Sequence, residues 1–267
     1  MLLDIMNQAK NAIASYNSAL QVHSSNIANM SVNGYKRLDV SFQSIFESLL
    51  SEGSSASAFS NLGGTNPKQF GQGVGVADVS IDMTQGSFVA ANSIDLAIDG
   101  RGLFIVSDDG GSTYKYTRAG KFYISSGNLL TESGMQVYGL NSSGSVVPIS
   151  GLTGADANYS WNANGELLLN GAATGYRVAL TYFSNSGGLK QVSGTTFAES
   201  YSSGAPATAL APGGAAGTLA AGQIEQSNVF YLGESIDAMG IQRAMSGNLT
   251  IVRMASDIIS QFISKIG

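Results

Sequence analysis

Residues able to do chemistry are few in this chain, and their spacing suits catalysis poorly. Asp95 and Asp99 fall on one face of the alternating stretch Ile94-Asp95-Leu96-Ala97-Ile98-Asp99, and Asp108 and Asp109 are adjacent. Paired carboxylates are what glycoside hydrolysis requires. The first pair reads more simply as the solvated side of a half-buried strand, and the second, before Gly110-Gly111, as a hairpin turn. The only histidine is His23, far in sequence from these acids, and Gly-x-Ser-x-Gly is absent, so no serine–histidine–acid group assembles. A packing or hydrogen-bonding role is the expectation for His23. One histidine and no cysteine leave no zinc set, no thiol nucleophile and no disulfide. Gly71-Gln72-Gly73-Val74-Gly75 imitates a phosphate loop in glycine content alone, because no lysine follows at P-loop spacing and the next residues are strand-like. The expectation is therefore no enzyme: no catalytic residues, no metal, no cofactor and no small-molecule substrate.

The composition points to protein as the partner. Of 267 residues, 12% are charged, about half the usual share, and 34 are glycine. The mean hydropathy is +0.10, yet no run approaches the roughly 20 apolar residues of a membrane span. A net charge of −5, with 13 Lys and Arg scattered along the chain, argues against nucleic acid, which needs clustered cations.

The elements that would position such surfaces divide the chain into unlike parts. From Leu2, apolar or semi-apolar residues recur at Met6, Ala9, Ile13, Tyr16, Leu20, His23 and Ile27, a repeat alternating four and three with no glycine or proline before Gly34. Leu232, Ile236 and Met239, then Ile251, Met254, Ile258 and Phe262, answer at the other end, with a slip between Arg243 and Gly247. These residues form the expected assembly interface. Neutral groups dominate the polar face of the first helix: Asn7, Gln8, Asn11, Ser15, Asn17, Ser18 and Gln21. Amides and hydroxyls satisfy one another across crowded helix contacts without burying charge, which predicts helices surrounded by other helices. Between the ends, short strands are expected around Leu103-Phe104-Ile105-Val106, Tyr114–Arg118, Phe122–Ile124, Glu166–Leu169 and Tyr176–Tyr182, with frequent turn signals. The fold class is α+β: N- and C-terminal helices forming a coiled coil, with an inserted all-β domain. The expected boundaries are 1–30 and 230–267 for the paired helices, 31–72 for a connecting segment and 73–229 for the β domain. Residues 51–60 and 202–222 have the Ser/Ala and Ala/Gly/Pro composition of flexible loops or of segments ordered only by their neighbours.

Three stretches carry a resemblance. Ser24-Ser25-Asn26-Ile27-Ala28-Asn29, followed by Val32-Asn33-Gly34-Tyr35-Lys36, resembles the signature of bacterial flagellar rod and hook axial proteins, with serine at Ser25, valine at Val32 and tyrosine at Tyr35 as mild departures. Asn92–Phe104 with Tyr116–Leu130, and Gly222–Val229, resemble that family's β core and the approach to its C-terminal helix. The signature residues are Ser25, Asn26, Ile27, Ala28, Asn29, Gly34, Tyr35 and Lys36. The resemblance implies a helical homopolymer forming a hollow tube, with terminal helices on the inner wall and the β domain outward. It implies adjoining rod, hook and junction proteins and the flagellar export apparatus as partners. It also implies an extracytoplasmic location in the flagellum, hook or basal body; the N-terminus lacks the basic start and apolar run of a secretory signal, in keeping with export without cleavage. Gly63–Gly75 and Ser41–Phe46 resemble compact hook proteins, so the hook is the leading reading, with torque transmission to the filament and passage of export substrates as its function. The distal rod, a drive shaft, is the alternative. A secreted trimeric adhesin or phage-tail-like protein is the alternative from another class.

Overall fold

The computed structural model describes residues 2–45, 47–51, 66, 68–71 and 73–266. The chain is α+β and divides into two units. One contains Met1–Ser25, Asp39–Val79 and Tyr231–Gly267; the other contains Asn26–Leu38 and Ser80–Phe230. This partition differs from the boundaries drawn on the sequence. The stretch between the first helix and the β region is shared out, its first part going to the β unit and its second to the helical unit. Hydrogen bonding explains the difference, as described below for Asn26 and Lys36.

In the helical unit, α1 spans Leu2–Ala28 and α2 spans Tyr231–Ile266. The uninterrupted 3.5-residue repeat predicts the first, and Glu234 and Lys265 sit at the ends of the second where they complement its dipole. Strands Leu38–Ser44 and Val74–Ile81 pair with each other, and Glu47–Ser51 pairs with Lys68–Gly71 in a short antiparallel ribbon. Residues 39–79 touch α1 directly: Ser15 Oγ donates to Val74 O at 3.0 Å, Gln8 Nε2 to Gly71 O at 2.6 Å, and the Tyr16 ring meets Phe42 edge-on at 5.7 Å. Most of the expected 51–60 loop and residues 63–65, 67 and 72 of the hook-like stretch lie outside the described residues.

The β unit is built on a large antiparallel sheet. Its spine runs Tyr159–Trp161, Glu166–Leu169, Ala172–Val178, Gln136–Leu140, Leu103–Ser107, Lys115–Thr117, Thr196–Ala198 and Lys190–Ser193. Central strands such as Leu103–Ser107 are apolar and buried along their whole length, as both faces of a sheet require when each is covered. One face packs Leu96, Ile98, Phe104, Phe122, Leu129 and Trp161; the other packs Ile105, Tyr116, Phe183 and Phe197. Tight turns match their residues, with Ser126 and Gly127 both at positive φ between Phe122–Ser125 and Asn128–Thr131.

Two expectations are corrected in the β unit. The stretch from Ile94 to Ile98 is buried throughout rather than half-buried, and Asp95 is not on a solvated side. Its carboxylate accepts the backbone N–H groups of Asn92 and Phe122 at 3.0 and 2.9 Å, so it serves as an internal cap, while Asp99 alone is exposed. Residues 202–222 are not a free loop either. Thr218–Ala221 pairs with Leu96–Asp99, Leu210 exchanges backbone bonds with Leu180, and Ala216 is fully buried. Small uncharged residues there allow close approach to the sheet, which composition alone does not distinguish from flexibility.

Candidate assembly site

The signature loop is a folding device inside the β unit. Asn26 turns its amide onto the backbone of Leu38, donating to its carbonyl at 2.8 Å and accepting from its N–H at 2.9 Å. This reproduces the two bonds of a strand partner, and Asn26 is wholly buried in making them. Tyr35, also buried, donates to the same amide oxygen at 3.3 Å. Gly34 holds φ +70, and a Cβ at this position would collide with the backbone of Ala119. Only glycine meets both demands.

Lys36 follows, and it is completely buried. Its ammonium lies 2.6 Å from Glu225 Oε1 and 2.7 Å from Thr84 O. The same carboxylate accepts Gly86 N–H at 2.8 Å and, through Oε2, Arg118 Nη1 at 3.2 Å. Arg118 also donates to the carbonyls of Ile98 and Gly100 at 3.1 and 2.5 Å. Burial lowers the pKa of both Lys36 and Arg118, and the Glu225 charge offsets part of that lowering. Beside the cluster, Asn228 accepts Arg37 N–H at 2.7 Å and donates to Asp82 O at 2.9 Å. The Arg37 guanidinium reaches the Asp82 carboxylate at 3.3 Å. Burial raises the pKa of Asp82, but hydrogen bonds from Thr84 and the Arg37 charge outweigh it, leaving it below the ordinary aspartate range.

The three sequence stretches that carry the resemblance thus meet in space. The first supplies Lys36, the second Arg118 and the third Glu225 and Asn228. No role for Arg118, Glu225 or Asn228 was legible beforehand. The available signal was the scarcity of charge: in a chain with so few charged residues, Lys36 and Glu225 as the lone charges of the first and third matched stretches are a hint of mutual pairing.

The helical unit is different in kind. On α2, Leu232, Ile236, Met239, Ile251, Met254, Ile258 and Phe262 are all exposed, Phe262 at 67%. The more sheltered positions of the same helix are Glu234, Ala238, Ile241, Met245, Asn248, Val252, Ala255 and Ile259, again spaced four and three. On α1, Ala9 and His23 are buried within the chain, while Met6, Ile13, Tyr16, Leu20 and Ile27 are partly covered; the side chain of Leu2 lies outside the description. His23 Nδ1 is 2.7 Å from Glu234 Oε2. His23 thus has the hydrogen-bonding role expected of it, made across to α2. Among the described residues, no helix is long and apolar enough to cross a membrane, and no group of three or more His, Asp or Glu is placed to hold a metal.

A well-filled β unit together with a helix, α2, whose apolar stripe is bare, points to a structural subunit that associates with other protein chains. Comparison with known proteins agrees. Residues 97–168 match the family model described as flagellar hook protein FlgE/F/G D1 domain. The flagellar basal-body rod protein FlgG of Bacillus subtilis is 32% identical over 93% of this chain and 94% of its own length. FlgG of Caulobacter vibrioides is 31% identical over 96% and 97%. The flagellar hook protein FlgE of Borreliella burgdorferi is 35% identical over 48% of this chain and 28% of its own. The chain belongs to the flagellar rod and hook protein family and is a structural subunit of that apparatus.

Proposed function

We propose that the chain polymerises helically into the hollow tube of the flagellar hook, transmitting motor torque to the filament and letting export substrates pass along its bore. The exposed apolar stripe of α2 carries this reading. A single chain leaves it in water, where burying each such side chain would be worth about 1.5–3 kcal/mol, and copies stacked head to tail without ring closure would cover it. In the tube, α1 and α2 pair as a coiled coil on the inner wall, using Leu2, Met6, Ala9, Ile13, Tyr16, Leu20, His23 and Ile27 with Leu232, Ile236, Met239, Ile251, Met254, Ile258 and Phe262, and the β unit faces outward. The work is mechanical, without catalysis or cofactor. The subunit leaves through the flagellar export apparatus without a cleaved signal and contacts rod, hook and junction proteins.

The distal rod is the second reading, favoured by end-to-end correspondence: the rod proteins of Bacillus subtilis and Caulobacter vibrioides match over 93% and 96% of this chain, the Borreliella burgdorferi hook protein over 48%. The hook reading rests on the resemblance of Ser41–Phe46 and Gly63–Gly75 and on local identities of 35% and 38% with hook proteins. Electron microscopy of basal bodies from a strain lacking the gene decides between them. A complete rod without a hook supports the hook; loss of the distal rod supports the other.

A further inference from the structure

Strand Leu103–Ser107 of the β unit carries opposite charge at its two ends. At its start, Thr84, Gln85, Arg101, Arg118, Tyr182 and Ser186 line a cleft of about 360 Å³. Arg101 is exposed at the turn Gly100-Arg101-Gly102 and lies over the Tyr182 ring at 5.5 Å. Arg118 is 4% exposed, and its Nε has no hydrogen-bond partner. The charges gathered here are Arg101, Arg118, Lys36 and Arg37 against Glu225, Asp99 and Asp82, four positive and three negative. The cleft therefore keeps an excess positive charge, of which Arg101 is the accessible part.

At the other end, the chain turns through Asp108 and Asp109. This turn is rigid: Asp109 Oδ1 lies 2.6 Å from Ser107 Oγ and accepts Thr113 N–H at 2.9 Å, and Gly111 N–H donates to Ser107 Oγ at 3.0 Å. These bonds hold the Asp109 carboxyl far below its usual pKa. Asp108, half exposed, pairs with Lys115 at 2.7 Å. Two carboxylates against one ammonium leave the turn an excess negative charge. A five-residue strand, roughly 17 Å long, separates the two features.

We infer that the acidic turn Asp108-Asp109 of one copy docks at the Arg101 cleft of the next. A contact joining opposite ends of one strand is heterologous, so it repeats along a line instead of closing on itself. It rests on the homopolymer reading, and it assigns to the β unit a polar, salt-sensitive contact distinct from the apolar one of the helices. Rim charges of this kind set register and rate of association.

Reciprocal charge exchange tests it. The full chain and the variants Arg101→Asp, Asp108→Arg and the double exchange are concentrated in low-salt buffer, and polymer is pelleted by ultracentrifugation. Each single exchange is expected to raise the critical concentration about five- to ten-fold, and the double exchange to return it to near the parental value. Thermal unfolding of the dilute variants should remain close to the parental curve, since both side chains are at the surface. Milder Arg101→Gln should act in the same direction as Arg101→Asp. Unchanged critical concentrations overturn the contact, as do single defects that the double exchange fails to repair. A parental chain that never pellets under any condition overturns the homopolymer reading itself, and with it this contact.

Discussion

In the β unit, Lys36 and Arg118 lie almost wholly out of water, both paired to the Glu225 carboxylate, whereas along α2 a row of large apolar side chains stands in it. One region buries what is expensive to bury, and the other exposes what is expensive to expose. The β unit can afford its charges because three chain segments converge on one carboxylate whose lone pairs are used by Lys36, Arg118 and Gly86. The apolar stripe of α2 is left for further protein to cover in the proposed polymer. The proposed polymer would use that division: a self-sufficient unit for identity, an incomplete one for growth.

The sharpest way to break the comparison is at the carboxylate. Glu225→Ala leaves two buried cations without a counter-charge and should cost about 3–5 kcal/mol of stability, read as a lowered denaturant midpoint of the monomer. Next in size is Gly34→Ala, which forces positive φ on a residue with a Cβ and drives it into Ala119; about 2–4 kcal/mol is expected from strain and overpacking, measured in the same way. Neither substitution touches the exposed stripe.

On the helical side the pattern reverses. Ile236→Ser with Ile258→Ser should change monomer stability by no more than about 0.5 kcal/mol, as surface substitutions do, yet abolish sedimentable polymer. Hydrogen exchange should show the same asymmetry without mutation: amides of the sheet core protected in the dilute chain, amides of α2 exchanging rapidly there and slowly in polymer. Equal protection of both regions in dilute solution would falsify the division. The smallest effect is on pH. Asp82 has its folded pKa depressed, so its contribution is present above the unfolded aspartate pKa and is lost as pH falls through the folded one. The β unit should lose stability below about pH 4, and Asp82→Asn should flatten that part of the profile in an acid titration of the unfolding midpoint.

Much of this was legible in the residues. The period of α1 and the strands at Leu103–Ser107 and Glu166–Leu169 follow from apolar spacing, and the signature at Ser25–Lys36 led to the family. Other features were not legible. Asp95 alternates with apolar neighbours like a surface residue, and only the arrival of Phe122 N–H shows it to be a cap. The tract before Gly222 reads as a linker because alanine and glycine are neutral about their surroundings, and its place against Leu96–Asp99 comes from long-range pairing. The spacing of α1 marks a stripe but not each partner: that His23 meets Glu234, 211 residues away, comes from the tertiary structure.

What the sequence determined by itself was local: helical and extended periods, and the low charge that directs surfaces toward protein. What only the tertiary structure decided was which charges meet, because Lys36 and Glu225 are 189 residues apart and no periodicity links them. Their pairing depends on the sheet bringing distant segments to one point, where leaving any one charge alone would be too costly for the fold to persist.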